Sequence, residues 1–119
     1  LESRGQQLAL WTARDRFATM GILENTELKK YFPKIVTGDC VHEGKPHPEG
    51  LIQISSYYNV SAKEVVMVGD FDSDMKAAHA FKCMGIRVQW HPSVERIKCP
   101  WAERQFFEVP EFLKWIHGL

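Results

Sequence analysis

Short apolar runs alternate with amphipathic stretches along the 119 residues, a pattern that predicts βα units around a mainly parallel sheet. Residues 7–12 (QLALWT) read as a buried strand and residues 14–24 as a helix or helical turns. Residues 34–37 (KIVT) are a second short strand, ending at Gly38. Pro48 sits where a first helical turn tolerates proline, and Leu51, Ile54, Ser55 and Tyr58 then share one helical face. Ser61 and Glu64 have capping-box spacing, which predicts a helical turn before the next strand. That strand, residues 65–68 (VVMV), is continuously apolar, as expected of a strand covered on both faces. Residues 73–81 follow as a helix offering Met75, Ala77, Ala78 and Phe81 for burial, with Gly85 expected to close it. Residues 86–90 predict another strand, and residues 91–108 a loop with a short strand near Phe106. Pro110 opens a last helix, turning Phe112, Leu113 and Ile116 toward the sheet. With no repeat, low-complexity tract or linker, residues 1–119 are expected to form a single domain.

Composition narrows the partners. Fifteen Lys and Arg balance fifteen Asp and Glu, so the chain lacks the basic field that nucleic-acid and membrane-surface proteins use. No apolar run approaches the roughly 18 residues of a membrane span, and no leader pattern opens the chain. Three cysteines without a CxxC pair fit reduced thiols in a cytoplasmic setting. The chain begins Leu1-Glu2-Ser3 without an initiator Met, as a processed protein or a piece of a longer one would.

Three local patterns carry chemistry. Gly69-Asp70-Phe71-Asp72-Ser73-Asp74 follows a strand directly, and ligands of parallel α/β sheets bind at carboxyl ends of strands. Clustered carboxylates repel one another unless a cation or protons compensate, and Mg²⁺ takes such oxygens; the alternative is an acidic loop capping the next helix. An EF-hand is excluded, because Met75 and Phe81 stand where its loop needs Gly and Glu. In Gly44-Lys45-Pro46-His47-Pro48-Glu49-Gly50, Lys45 lies just before a helix N-terminus; it is either an anion-binding group or a surface lysine in a turn. Thr12, followed by Ala13 and Arg14, ends the first strand and suits either a phosphoryl oxygen or a helix cap. Cys40, His42 and His47 lack zinc-site spacing. His79, Cys83 and Cys99 show no nucleophile–base pairing. Trp90, Trp101 and Trp115 suit an interface or an aromatic core equally, leaving the oligomeric state open.

Taken in order, the strand-ending Thr12, the Lys-Pro-His-Pro at Lys45 and the strand-borne Gly-Asp-x-x-x-Asp at Asp70 and Asp74 resemble the haloacid dehalogenase superfamily of phosphohydrolases, in its phosphoglycolate-phosphatase-like branch. Tyr31 through Asp39 (YFPKIVTGD) and Val66-Met67-Val68-Gly69-Asp70 share the likeness, which spans residues 8–90. The resemblance implies a Rossmann-like, three-layer α/β/α core with a mainly parallel sheet. It implies hydrolysis of a small phosphorylated metabolite through an aspartyl-phosphate. Thr12 and Ala13 would hold the phosphoryl group, Lys45 would neutralise phosphate and nucleophile, and Asp70 and Asp74 would serve Mg²⁺. It assigns Asp72 no role beyond an exposed loop carboxylate.

One motif departs from the pattern. The family's Asp-x-Asp, nucleophile and acid/base, lies on a central strand upstream of the Thr motif, yet Glu2 is the sole acid among residues 1–11. This strand is expected from a segment upstream of Leu1, together with any cap that selects substrate. The present chain is then a C-terminal part of the core, inactive alone, with that segment as its partner. A non-catalytic binding module and a phosphomutase are the alternatives.

Overall fold

A computed structural model describes residues 6–90 and 99–118. The chain is α/β, with five strands and four helices among these residues, and it gathers into two compact units, Leu1–Val60 and Ser61–Leu119. No described helix is long and apolar enough to cross a membrane.

In the first unit, β1 (Ala9–Trp11) pairs in parallel with β2 (Lys34–Val36), in the register Ala9↔Lys34 to Trp11↔Val36. Between them runs α1 (Arg16–Asn25). Its N-cap is Asp15, whose carboxylate accepts the Ala18 N–H at 2.7 Å, satisfying a donor the first turn leaves open. The next helix, α2 (Glu49–Tyr58), starts after Pro48 and ends at Asn59, whose left-handed backbone (φ 54°) suits a short polar side chain. The Tyr58 hydroxyl donates to the Leu8 carbonyl at 2.5 Å, tying α2 to the start of β1. Leu23, Val36 and Leu51 are buried beside Thr19, Thr37 and Ser55.

In the second unit, β3 (Val66–Gly69), β4 (Met84–Val88) and β5 (Arg104–Phe106) form one parallel sheet in that order. The Glu64 carboxylate accepts the Ser61 N–H at 3.2 Å, so the expected cap precedes β3. Helix α3 (Asp72–Phe81) buries Met75, Ala77 and Ala78. Helix α4 (Val109–His117) buries Ile116 and sets Phe112 and Trp115 against Phe106, with ring centroids 5.7 and 5.6 Å apart.

Three expectations change. The cover expected on both faces of residues 65–68 is found on one: Met67 is buried while Val66 and Val68 are 39% and 41% exposed. Alternate strand residues face opposite ways, so one side of β3 is open. Gly85 does not close α3: Lys82 does, with φ 67°. Gly85 lies within β4, where an added Cβ would stand 3.1 Å from Met75 Sδ and 3.2 Å from Ala78 Cβ. It is there for close approach of helix and strand. Leu113 is exposed rather than packed on the sheet. Within the loop expected at 91–108, β5 forms as anticipated, while residues 91–98 lie outside the described residues.

Candidate functional site

The candidate residues fall into one group per unit. In the first, Thr12 follows β1 and prolongs the ladder, its N–H donating to the Val36 carbonyl at 3.0 Å. Its hydroxyl accepts the Arg14 N–H at 3.2 Å, drawing the chain into a tight turn at Ala13. The Gly38 N–H donates to the Arg14 carbonyl at 2.7 Å, and a Cβ on Gly38 would collide with the Ala13 carbonyl oxygen. Only glycine permits that approach.

Asp39 completes the clasp. Its carboxylate accepts the Arg16 N–H at 3.2 and 3.3 Å and the hydroxyl of the fully buried Thr37. The Thr37 hydroxyl, then the Arg16 N–H, hold the Asp39 carboxyl below its ordinary range. Thr37 Oγ1 also lies 3.1 Å from Cys40 Sγ and pulls that thiol down. Sequence reasoning placed Thr37 and Asp39 in the family-like stretch but gave neither a role; the available signal was the Thr-Gly-Asp at the end of a short strand.

The loop carrying Lys45 is held by Glu49, whose carboxylate accepts the His42 N–H at 2.8 Å and the Glu43 N–H at 3.3 Å. These bonds, His42 first, lower the Glu49 pKa. Gln53 donates to the Cys40 carbonyl at 2.9 Å, and the Glu49 N–H donates to His47 Nδ1 at 3.1 Å. The Lys45–Pro46 peptide is cis. Lys45 Nζ lies 5.2 Å from the centre of the Trp11 ring, so its ammonium sits against the residue preceding Thr12.

In the second unit, Asp70 is exposed just beyond β3, and Asp74 is 4% exposed in the first turn of α3. Asp74 Oδ2 accepts the Phe71 N–H at 3.2 Å, where the helix N-terminus favours negative charge. A Cβ on Gly69 would strike the Asp74 carboxylate, so glycine makes the cradle in which this acid lies. Asp72 is exposed, as expected, and accepts a hydrogen bond from Arg87 of β4 at 2.7 Å. Among the described residues no three His, Cys, Asp or Glu side chains form a metal-holding group.

Other candidates resolve as packing. Cys83 and Cys99 are buried, His79 lies edge-on to Trp101 at 5.1 Å, and Trp90 packs on Phe112 at 5.7 Å. A cavity of about 1030 Å³ in the first unit is lined by Met20, Leu23, Phe32, Ile35, Tyr57 and several lysines. None of Thr12, Ala13 or Lys45 lines it.

The profile of the haloacid dehalogenase-like hydrolases matches residues 1–88. The chain belongs to this family, an enzyme family that includes phosphatases. Phosphoglycolate phosphatase from Salmonella paratyphi A is 33% identical over 86 residues, which cover 72% of this chain and 34% of that enzyme. The Escherichia coli K12 phosphoglycolate phosphatase is 30% identical over 86 residues, with the same 72% and 34% shares. Among solved structures, a candidate β-phosphoglucomutase from Thermotoga maritima aligns with TM-score 0.83 and 28% identity, over 97% of this chain and 55% of that one. A predicted phosphoglycolate phosphatase from Haemophilus somnus has the same fold, with TM-score 0.85 at 21% identity, over 97% of this chain and 52% of that one. The chain thus spans about a third of the curated relatives and about half of these solved chains.

Proposed function

We propose that this chain is a partial core domain of a Mg²⁺-dependent phosphomonoesterase that hydrolyses a small phosphorylated metabolite through an aspartyl-phosphate. The observation that carries the reading is positional. Thr12 follows β1 and Asp70 follows β3, both at carboxyl ends of parallel strands, where such sheets hold ligands.

Phosphoryl transfer spreads negative charge over oxygens and is driven by positioning and charge neutralisation. In this reading the Thr12 hydroxyl and the N–H groups of the Ala13 turn orient the phosphoryl oxygens. Lys45 places a cation beside them and keeps the attacking carboxylate and the phosphate from repelling each other. Asp70 and Asp74 suit Mg²⁺, because the ion takes one or two carboxylates plus waters and phosphate, and the Gly69 cradle sets Asp74 at the loop. When bound, the ion neutralises phosphoryl charge. The attacking Asp is expected from a segment outside these residues. In support, β1 pairs only with β2 and β3 only with β4 among the described residues, so each has an edge for a further strand.

The test uses the full-length protein with p-nitrophenyl phosphate. Asp70→Asn, Lys45→Ala or chelation each lowers hydrolysis by roughly 100-fold or more, the loss typical of one removed charge-stabilising group. Hydrolysis that survives both substitutions sinks the reading. The likeness to a candidate β-phosphoglucomutase favours one second reading, transfer to a sugar hydroxyl. Phosphorus NMR of the product separates inorganic phosphate from a moved phosphoryl group.

A further inference from the structure

Trp11 is a large aromatic side chain next to the proposed phosphoryl-binding Thr12, and the family pattern assigns it nothing. It is half-buried in β1, opposite Val36. Two residues of the Lys45 loop and its helix meet it. Lys45 Nζ lies over its ring at 5.2 Å, and the buried Gly50 packs so closely that an added Cβ would overlap Cε2, Cδ2 and Nε1 of the indole.

We propose that the Trp11 indole is the platform that positions the Lys45 ammonium for an anionic phosphoryl group, with Gly50 the small residue that admits the ring. The inference rests on the proposed phosphate role of Lys45. Lysine is a long, flexible side chain, and ordering it on binding opposes affinity. A ring face attracts the ammonium through its quadrupole and restricts it beforehand. Unlike a carboxylate, the ring carries no negative charge to oppose an arriving phosphate. Its apolar surface also removes water from one side of the cation, which strengthens attraction on the other. Trp11 is therefore a positioning residue that acts through Lys45. The same arrangement explains why Gly50 follows the Pro-Glu of the motif: a side chain there would push the indole away from the lysine.

The experiment measures dissociation constants of inorganic phosphate for the full-length protein by calorimetry. Trp11→Leu weakens phosphate roughly 3- to 10-fold, the range of a partly exposed cation–π contact, while Trp11→Phe stays within about 2-fold of wild type. In a Lys45→Ala background, Trp11→Leu has no further effect. A ring that merely packed would cost the same in both backgrounds. Should Trp11→Leu fail to fold, site-specific fluorinated tryptophans at position 11 keep the shape and weaken the quadrupole stepwise, and phosphate affinity falls with each fluorine. Unchanged affinity across that series, with Lys45→Ala still weakening phosphate, overturns the platform alone. Wild-type affinity in Lys45→Ala overturns the phosphate role of Lys45 and the platform with it.

Discussion

Arg87 Nη1 of β4 lies 2.7 Å from the Asp72 carboxylate in the first turn of α3. Arg87 also stands opposite Gly69 in the sheet register, so the strand beside β3 supplies a counter-charge to the acidic loop. Their side chains are 14% and 58% exposed, and solvent on Asp72 moderates the pair. Arg87→Gln is expected to lower stability by roughly 1 kcal/mol, measured by urea denaturation at low salt. Asp72→Asn added to it recovers part of the loss, because the freed carboxylate no longer repels Asp70 and Asp74. An Arg87→Gln protein as stable as wild type refutes a structural role for the pair.

Two glycines set how closely α3 approaches the sheet. Gly69→Ala drives a methyl into the Asp74 carboxylate, and is expected to destabilise by about 1–3 kcal/mol, the usual cost of overpacking. Gly85→Ala is expected to cost less, since its nearest neighbours, Met75 Sδ and Ala78 Cβ, stand at 3.1 and 3.2 Å and need give by only a few tenths of an ångström. Melting by circular dichroism ranks them; a Gly85→Ala protein less stable than Gly69→Ala reverses the argument.

The thiols differ in reactivity. Burial raises the Cys83 pKa to about 11, so it stays a protonated thiol through neutral pH and resists alkylation. The Thr37 hydroxyl lowers the pKa of the half-buried Cys40, giving more thiolate at a given pH. Iodoacetamide at pH 8 is expected to label Cys40 well before Cys83, as read by peptide mass spectrometry. Equal rates at the two cysteines contradict the assignment.

Asp39 makes folding pH-dependent. Its carboxyl titrates below the ordinary 3.8 in the folded chain, chiefly through Thr37. A depressed folded pKa contributes stability above the unfolded value, and that contribution fades as pH falls through the folded one. Asp39→Asn is therefore expected to be less stable than wild type at neutral pH, with the gap closing below pH 3.8. Denaturation at pH 7 and pH 3 checks this; a gap that does not narrow between the two argues against the charged clasp.

The elements were largely legible because their signals are local. The apolar run before Gly69, the Ser61–Glu64 cap and the face of Leu51 and Ser55 each act within a few residues, and β3, the turn and α2 formed where expected. The expected places of Thr12 and Asp70 at strand ends were legible for the same reason. The partnerships were not. Asp72 with Arg87, Asp39 with Arg16, and Lys45 with Trp11 join residues 15, 23 and 34 positions apart, and no periodicity encodes which distant side chains meet.

The order of residue types along the chain determined the family, the strands and helices, and the candidate Thr, Lys and Asp residues, because hydrophobic period, caps and motif spacing are properties of neighbouring positions. Tertiary structure alone decided that Gly85 serves helix–strand contact rather than a helix end. It also decided that β3 buries Met67 while leaving Val66 and Val68 open, and that an indole lies under the Lys45 ammonium. Those outcomes depend on what packs against a residue from elsewhere in the chain, and that is settled only when the elements close on one another.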